Sequence, residues 1–81
     1  MEVAYILIEC RHGKLKITSA ALNKYEEIEE LHEIYGRYDL IAKMVCTDRA
    51  ELKGFIQNKL QITEGIKTTE TLIVNDLESS D

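Results

Sequence analysis

No stretch of this 81-residue chain approaches the roughly 18 consecutive apolar residues of a membrane-crossing helix. A helical membrane span is therefore excluded. Positive charge is also scarce: 10 lysines and arginines stand against 15 acids, for a net charge of −5. Nucleic-acid domains usually gather their cations on one face. Here the cations are scattered, and Glu26-Glu27-Ile28-Glu29-Glu30 repels phosphate. Direct DNA binding is not expected. The two cysteines, Cys10 and Cys46, are too few for a disulfide framework. A zinc site built on Cys10-x-His12 needs two more ligands, and Cys46 and His32 lie far away in sequence. Buried free thiols are the expectation, with no metal and no cofactor. Val3 to Ile8 is short and lacks a basic flank, so it does not read as a signal peptide, and a cytoplasmic location is expected.

What is present fits one soluble globular domain, with 44% hydrophobic and 31% charged residues. A chain this short buries only about 60% of its unfolded surface, so it gains from a partner. Val3-Ala4-Tyr5-Ile6-Leu7-Ile8 is apolar on both faces and predicts a buried strand. Between Lys14 and Tyr25, Thr18, Ala21, Leu22 and Tyr25 recur at helical spacing, with Ile17 off the stripe. Ile28 to Tyr35 reads as an edge strand, with Ile28, Glu30, His32 and Ile34 on one face and Leu31 and Tyr35 on the other. Gly36-Arg37 predicts a tight hairpin turn, and Tyr38 to Cys46 the next strand. Asp48, with Glu51 three residues on, predicts a capping box for a helix carrying Leu52, Phe55, Ile56 and Leu60. Thr68 to Val74 predicts a last strand. Residues 1–75 are the expected domain and 76–81 an acidic C-terminal tail.

The order βαββαβ predicts an α+β, ferredoxin-like sandwich with antiparallel sheet order 4-1-3-2 and both helices on one face. The first and third strands are apolar on both sides, so one apolar sheet face is left uncovered. Exposed patches of that kind are rare on monomers. A second copy packed sheet to sheet is expected, giving a dimeric, α/β barrel-like assembly. Cys10 and Cys46 end two antiparallel neighbours, which puts them at opposite edges of the sheet and excludes a disulfide between them.

The stretch His32-Glu33-Ile34-Tyr35-Gly36-Arg37-Tyr38-Asp39-Leu40-Ile41-Ala42-Lys43 carries more chemistry than a turn requires. In the expected topology its hairpin shares one sheet edge with Arg11-His12-Gly13 and with the start of the last strand at Thr68-Thr69. Hydroxyls, amides, a guanidinium and a carboxylate meet there, a set suited to a zwitterion. The same residues also admit a structural reading. Tyr38 then packs, Asp39 accepts turn N–H groups, and Thr69 and Thr71 are ordinary strand residues.

"HEIYGRYDLIAK", "DRAELKGFIQNKL" and "GIKTTETLIV" together resemble the effector-binding (RAM) domain of the Lrp/AsnC family, over Val3 to Val74. The resemblance implies amino-acid or related-metabolite binding at Gly36, Tyr38 and Asp39 of the hairpin and at Thr69 and Thr71 of the last strand. Arg37, at a variable position of that motif, is expected to tune ligand preference. It also implies a homodimer that assembles into a higher oligomer, such as an octameric ring. The family's helix-turn-helix domain is not found in this sequence, so a stand-alone effector domain is expected. Its role would be in transcription regulation, acting through assembly rather than by direct DNA binding. A structural adaptor that joins a full-length Lrp/AsnC-type regulator without binding an effector is the alternative. An enzyme is not expected, because no nucleophile–base pair or catalytic residue emerges around His12 or His32.

Overall fold

A computed structural model describes residues 1–75. The elements run β1 (Glu2–Cys10), α1 (Leu15–Leu22), β2 (Ile28–Glu33), β3 (Leu40–Cys46), α2 (Arg49–Phe55) and β4 (Ile66–Ile73), with α2 prolonged by a π-helical segment over Ile56–Leu60. The sheet is antiparallel throughout, in the order β2-β3-β1-β4. This is the expected ferredoxin-like topology, read from the other edge. The expected tail at 76–81 lies outside the described residues. Among the described residues no helix is long and apolar enough to cross a membrane.

Alternation in β1 and β3 builds the core. Ala4, Ile6 and Ile8 of β1 face the helices with Leu40, Ala42 and Met44 of β3, and all six are fully buried. Leu22 of α1, with Leu52, Phe55 and Leu60 from α2 and its extension, closes over them. Each large aliphatic side chain buried there contributes about 1.5–3 kcal/mol. Tyr25 and Phe55 meet edge to face, with ring centroids 5.4 Å apart.

Several boundaries differ from the sequence expectation. Helix α1 stops at Leu22, and Tyr25 follows in a turn closed by its N–H to Leu22 O. Thr18, the polar member of the stripe, is fully buried, and its hydroxyl donates to Glu64 O at 2.9 Å. Strand β2 does not alternate as expected. A register shift between Ile28 and Glu30 puts Ile28 opposite Met44 and Leu31 opposite Ala42, so both turn inward. Asp48 caps α2 through Glu51 N–H at 2.9 Å, but the Glu51 carboxylate reaches back to the Thr47 N–H and hydroxyl instead of closing a capping box. The π-helical segment, closed by Gln61 N–H to Ile56 O, brings Leu60 onto the core face five residues after Phe55.

The opposite sheet face stays open among the described residues. Val3, Tyr5 and Leu7 of β1 lie there with Ile41 and Val45 of β3, each only partly buried, and Leu72 of β4 is 47% exposed. Cys46 pairs with Glu2 at one end of the sheet and Cys10 with Ile66 at the other, and both thiols are free and buried.

Candidate functional site

The hairpin between β2 and β3 is longer than a two-residue turn. Ile34 N–H bonds Asp39 O at 2.9 Å and closes a loop through Tyr35, Gly36, Arg37 and Tyr38. Strand β3 therefore begins at Leu40, not at Tyr38. Gly36 has φ +126°, a backbone region that a side chain rarely adopts, and this explains the glycine at the tip. Tyr35 is fully exposed, while the Arg37 guanidinium lies over the Tyr38 ring at 5.7 Å.

Tyr38 and Asp39 pin this loop to the sheet. The Tyr38 hydroxyl donates to Glu70 Oε1 at 2.8 Å, which links the hairpin to β4 across the end of β1. That bond pushes the Tyr38 phenol above its ordinary value. Asp39 donates its N–H to Ile8 O at 2.8 Å and accepts Cys10 N–H on Oδ2 at 2.8 Å. Its carboxylate thus replaces a missing ladder partner at the end of β1, which is the structural reading of this residue.

The β1–α1 loop sits at the same end. Arg11 N–H bonds Gly65 O at 2.7 Å, and Lys14 N–H bonds Arg11 O at 3.0 Å. Gly65, at φ +90°, passes against α1 so closely that an added Cβ would overlap the Thr18 hydroxyl and approach Lys14 Cβ to 2.9 Å. Two clefts flank Asp39. One, of about 410 Å3, is lined by Glu9, Cys10, Arg11, His12, Asp39 and Lys67 among others. The second, of about 350 Å3, is lined by Leu15, Glu33, Ile34, Tyr35 and Asp39. Burial raises the Cys10 thiol's pKa, and the Asp39 charge adds to this while a Thr18 hydrogen bond opposes it. That thiol is a poor nucleophile. Among the described residues no three His, Cys, Asp or Glu side chains converge on a metal position.

The expected site residues are only partly gathered. Gly36, Arg37, Tyr38 and Asp39 come together at the hairpin, but Thr69 and Thr71 do not join them. Thr69 pairs with Ile8 and Thr71 with Ile6, so both hydroxyls lie on the helix side of β4. Glu70, between them, points to the open face and is the residue that Tyr38 meets. Thr68, opposite Glu9, donates to Glu9 Oε1 at 3.0 Å on that same face. Arg11 and His12 lie at this sheet end as the topology predicts, whereas Glu9, Lys67 and Glu70 were outside the sequence-derived set. Their signal was positional: the β1–β4 register decides which members of Lys67-Thr68-Thr69-Glu70-Thr71 share the hairpin's side.

A model of the Lrp/AsnC ligand binding domain family matches residues 3–77. Over 72 residues the chain is 38% identical to the HTH-type transcriptional regulator FL11 of Pyrococcus furiosus, a match covering 89% of this chain and 47% of that protein. The chain thus spans about half the length of the curated relatives it matches. Its fold superposes on the crystal structure of FFRP-DM1 with a TM-score of 0.89 and 32% identity, covering 93% of this chain and all of the other. The structure of AsnC from Escherichia coli superposes with a TM-score of 0.86 and 28% identity, over 90% of this chain and 50% of that one. Since the match runs through every strand and helix of the sandwich, this chain belongs to the Lrp/AsnC ligand-binding domain family.

Proposed function

We propose that the chain is an amino-acid or related-metabolite sensing and oligomerisation module in transcription regulation, acting through assembly rather than by touching DNA. The observation that carries this reading is the hairpin held open at one sheet end. Tyr38 and Asp39 fasten it to β4 and β1, leaving Arg37 and the two clefts beside Asp39 facing outward. The named regulators among its relatives support the transcriptional role. The partly buried apolar face of β1 and β3 supports a second copy packed sheet to sheet, with higher assembly from that dimer. Gly36, Arg37, Tyr38 and Asp39 form the sensing hairpin. Thr69 and Thr71 contribute, in this proposal, from the helix side of the β4 edge. The reading assigns no catalytic residue, no cofactor and no membrane contact.

One observation favours the adaptor alternative. Asp39 Oδ2 and Glu9 Oε1 already hold protein donors, which is what a rigid interface without an effector requires. A thermal-shift screen of the twenty amino acids separates the two. A ligand at 100 times its Kd adds about 2.7 kcal/mol, which raises the melting temperature of a domain this size by roughly 10–20 °C. A flat response from all twenty, together with capture of a full-length family member, would establish the adaptor instead.

A further inference from the structure

The larger cleft beside Asp39 has an uneven supply of unspent charge. Its carboxylates are partly engaged: Asp39 Oδ2 takes the Cys10 N–H and, among the described residues, Oδ1 takes no donor, while Glu9 takes the Thr68 hydroxyl on one oxygen and faces Lys67 Nζ at 3.7 Å with the other. Its cations are not. Arg11 and His12 are exposed, and among the described residues neither side chain makes a hydrogen bond or ion pair. The Lys67 contact is long for an ion pair, so its ammonium has donors to spare. The first turn of α1, with no side-chain cap and no acid of its own, adjoins the same cleft through Leu15. A volume near 410 Å3 suits an amino-acid-sized guest.

We infer that this cleft, between the β1–α1 loop and the hairpin, binds an amino-acid-sized dicarboxylate, with acidic amino acids as its ligand class. The Arg11 guanidinium takes one carboxylate in its planar fork. Lys67 takes the other by relaxing its grip on Glu9. The Asp39 carboxylate is the acceptor for an ammonium. This inference rests on the sensing reading above and names the ligand class for it.

Titration calorimetry on the whole chain at low ionic strength tests it, with glutamate, glutarate, leucine and inorganic phosphate as probes. Glutamate is expected to bind, glutarate more weakly because it lacks the ammonium, and leucine not at all. Arg11→Gln leaves the main-chain bond from Arg11 N–H to Gly65 O in place, so the fold is retained. Glutamate affinity is then expected to fall about 10- to 150-fold, the equivalent of one charge-assisted hydrogen bond. Lys67→Gln is expected to do the same, with an unchanged ligand-free melting temperature as the control. Binding of leucine without glutamate would overturn this inference and leave the sensing reading standing. If neither glutamate nor leucine binds, this inference falls, and the thermal-shift screen of all twenty amino acids decides the sensing reading. Glutamate binding untouched by either substitution would move the ligand elsewhere and refute the cleft. Phosphate binding as tightly as glutamate would reduce the cleft to a general anion site and refute the ligand class.

Discussion

Replacing Asp39 by alanine removes the acceptor of the Cys10 N–H, a bond of 2.8 Å at a half-buried position. Leaving such a donor unsatisfied costs about 1–3 kcal/mol. In a domain of this size each kilocalorie lowers the melting temperature by about 4–8 °C, so the variant is expected to melt roughly 4–24 °C below the parent. An asparagine side chain keeps an acceptor oxygen within the same reach, so Asp39→Asn is expected to recover at least half of that loss. Thermal unfolding followed by circular dichroism, without ligand, measures both. Amide exchange at Cys10 adds a local readout, because its protection should collapse in the alanine variant and persist in the asparagine one. If Asp39→Ala melts within about 2 °C of the parent, the carboxylate is not holding β1 to the hairpin. The case for a pinned loop at that sheet end would then fail.

Gly65→Ala should lose several kilocalories, because the new Cβ meets Thr18 and Lys14 in a positive-φ backbone, and a chemical denaturation midpoint unchanged from the parent would refute that. Glu27 bonds Lys59 Nζ at 2.8 Å, which holds its carboxyl below the ordinary value of 4.5. The bond therefore stabilises the fold above that pH and is lost as pH falls through the lower, folded-state value. Lys59→Met should lower stability modestly near neutrality and flatten the acid limb of a stability–pH curve; an acid limb of unchanged steepness would remove the pair as its cause. Ile8→Asp should prevent folding because Ile8 is fully buried, whereas Leu7→Asp should give a folded chain that no longer self-associates, since Leu7 lies on the open face. Equal behaviour of the two variants would contradict the assignment of faces.

How much of this was legible beforehand differs from element to element. Strands β1 and β3 were readable because each alternates apolar residues on two faces, and this pattern also exposed the uncovered side of the sheet. Asp48 marked the start of α2, since an acid ahead of a periodic apolar stripe has few other uses. Thr18 looked like a flaw in α1. Only the contact with Glu64 O makes a buried hydroxyl the fitting residue, and no local pattern carries a partner 46 positions away. The bulge in β2 was hidden for a similar reason, because it depends on which β3 residues Ile28 and Leu31 meet. The site was half legible. Gly36-Arg37-Tyr38-Asp39 stood out as chemistry in excess of a turn, and the family resemblance drew attention to Thr69 and Thr71. Strand β4 runs from Ile66 through the polar residues Lys67 to Thr71 before ending in Leu72-Ile73, so neither of its faces announces itself as inner. Its register on β1 had to be seen before Glu70, rather than either threonine, emerged as the partner of Tyr38.

In the proposed function, a small effector changes how this chain assembles. Light scattering during size-exclusion chromatography, with and without the amino acid that most raises the melting temperature, tests it most directly. Without ligand the expected mass is at least twice that of the 9.3 kDa chain, and the distribution of assemblies is expected to change when ligand is added. A single species at 9.3 kDa across the micromolar range, unmoved by any amino acid, would contradict it.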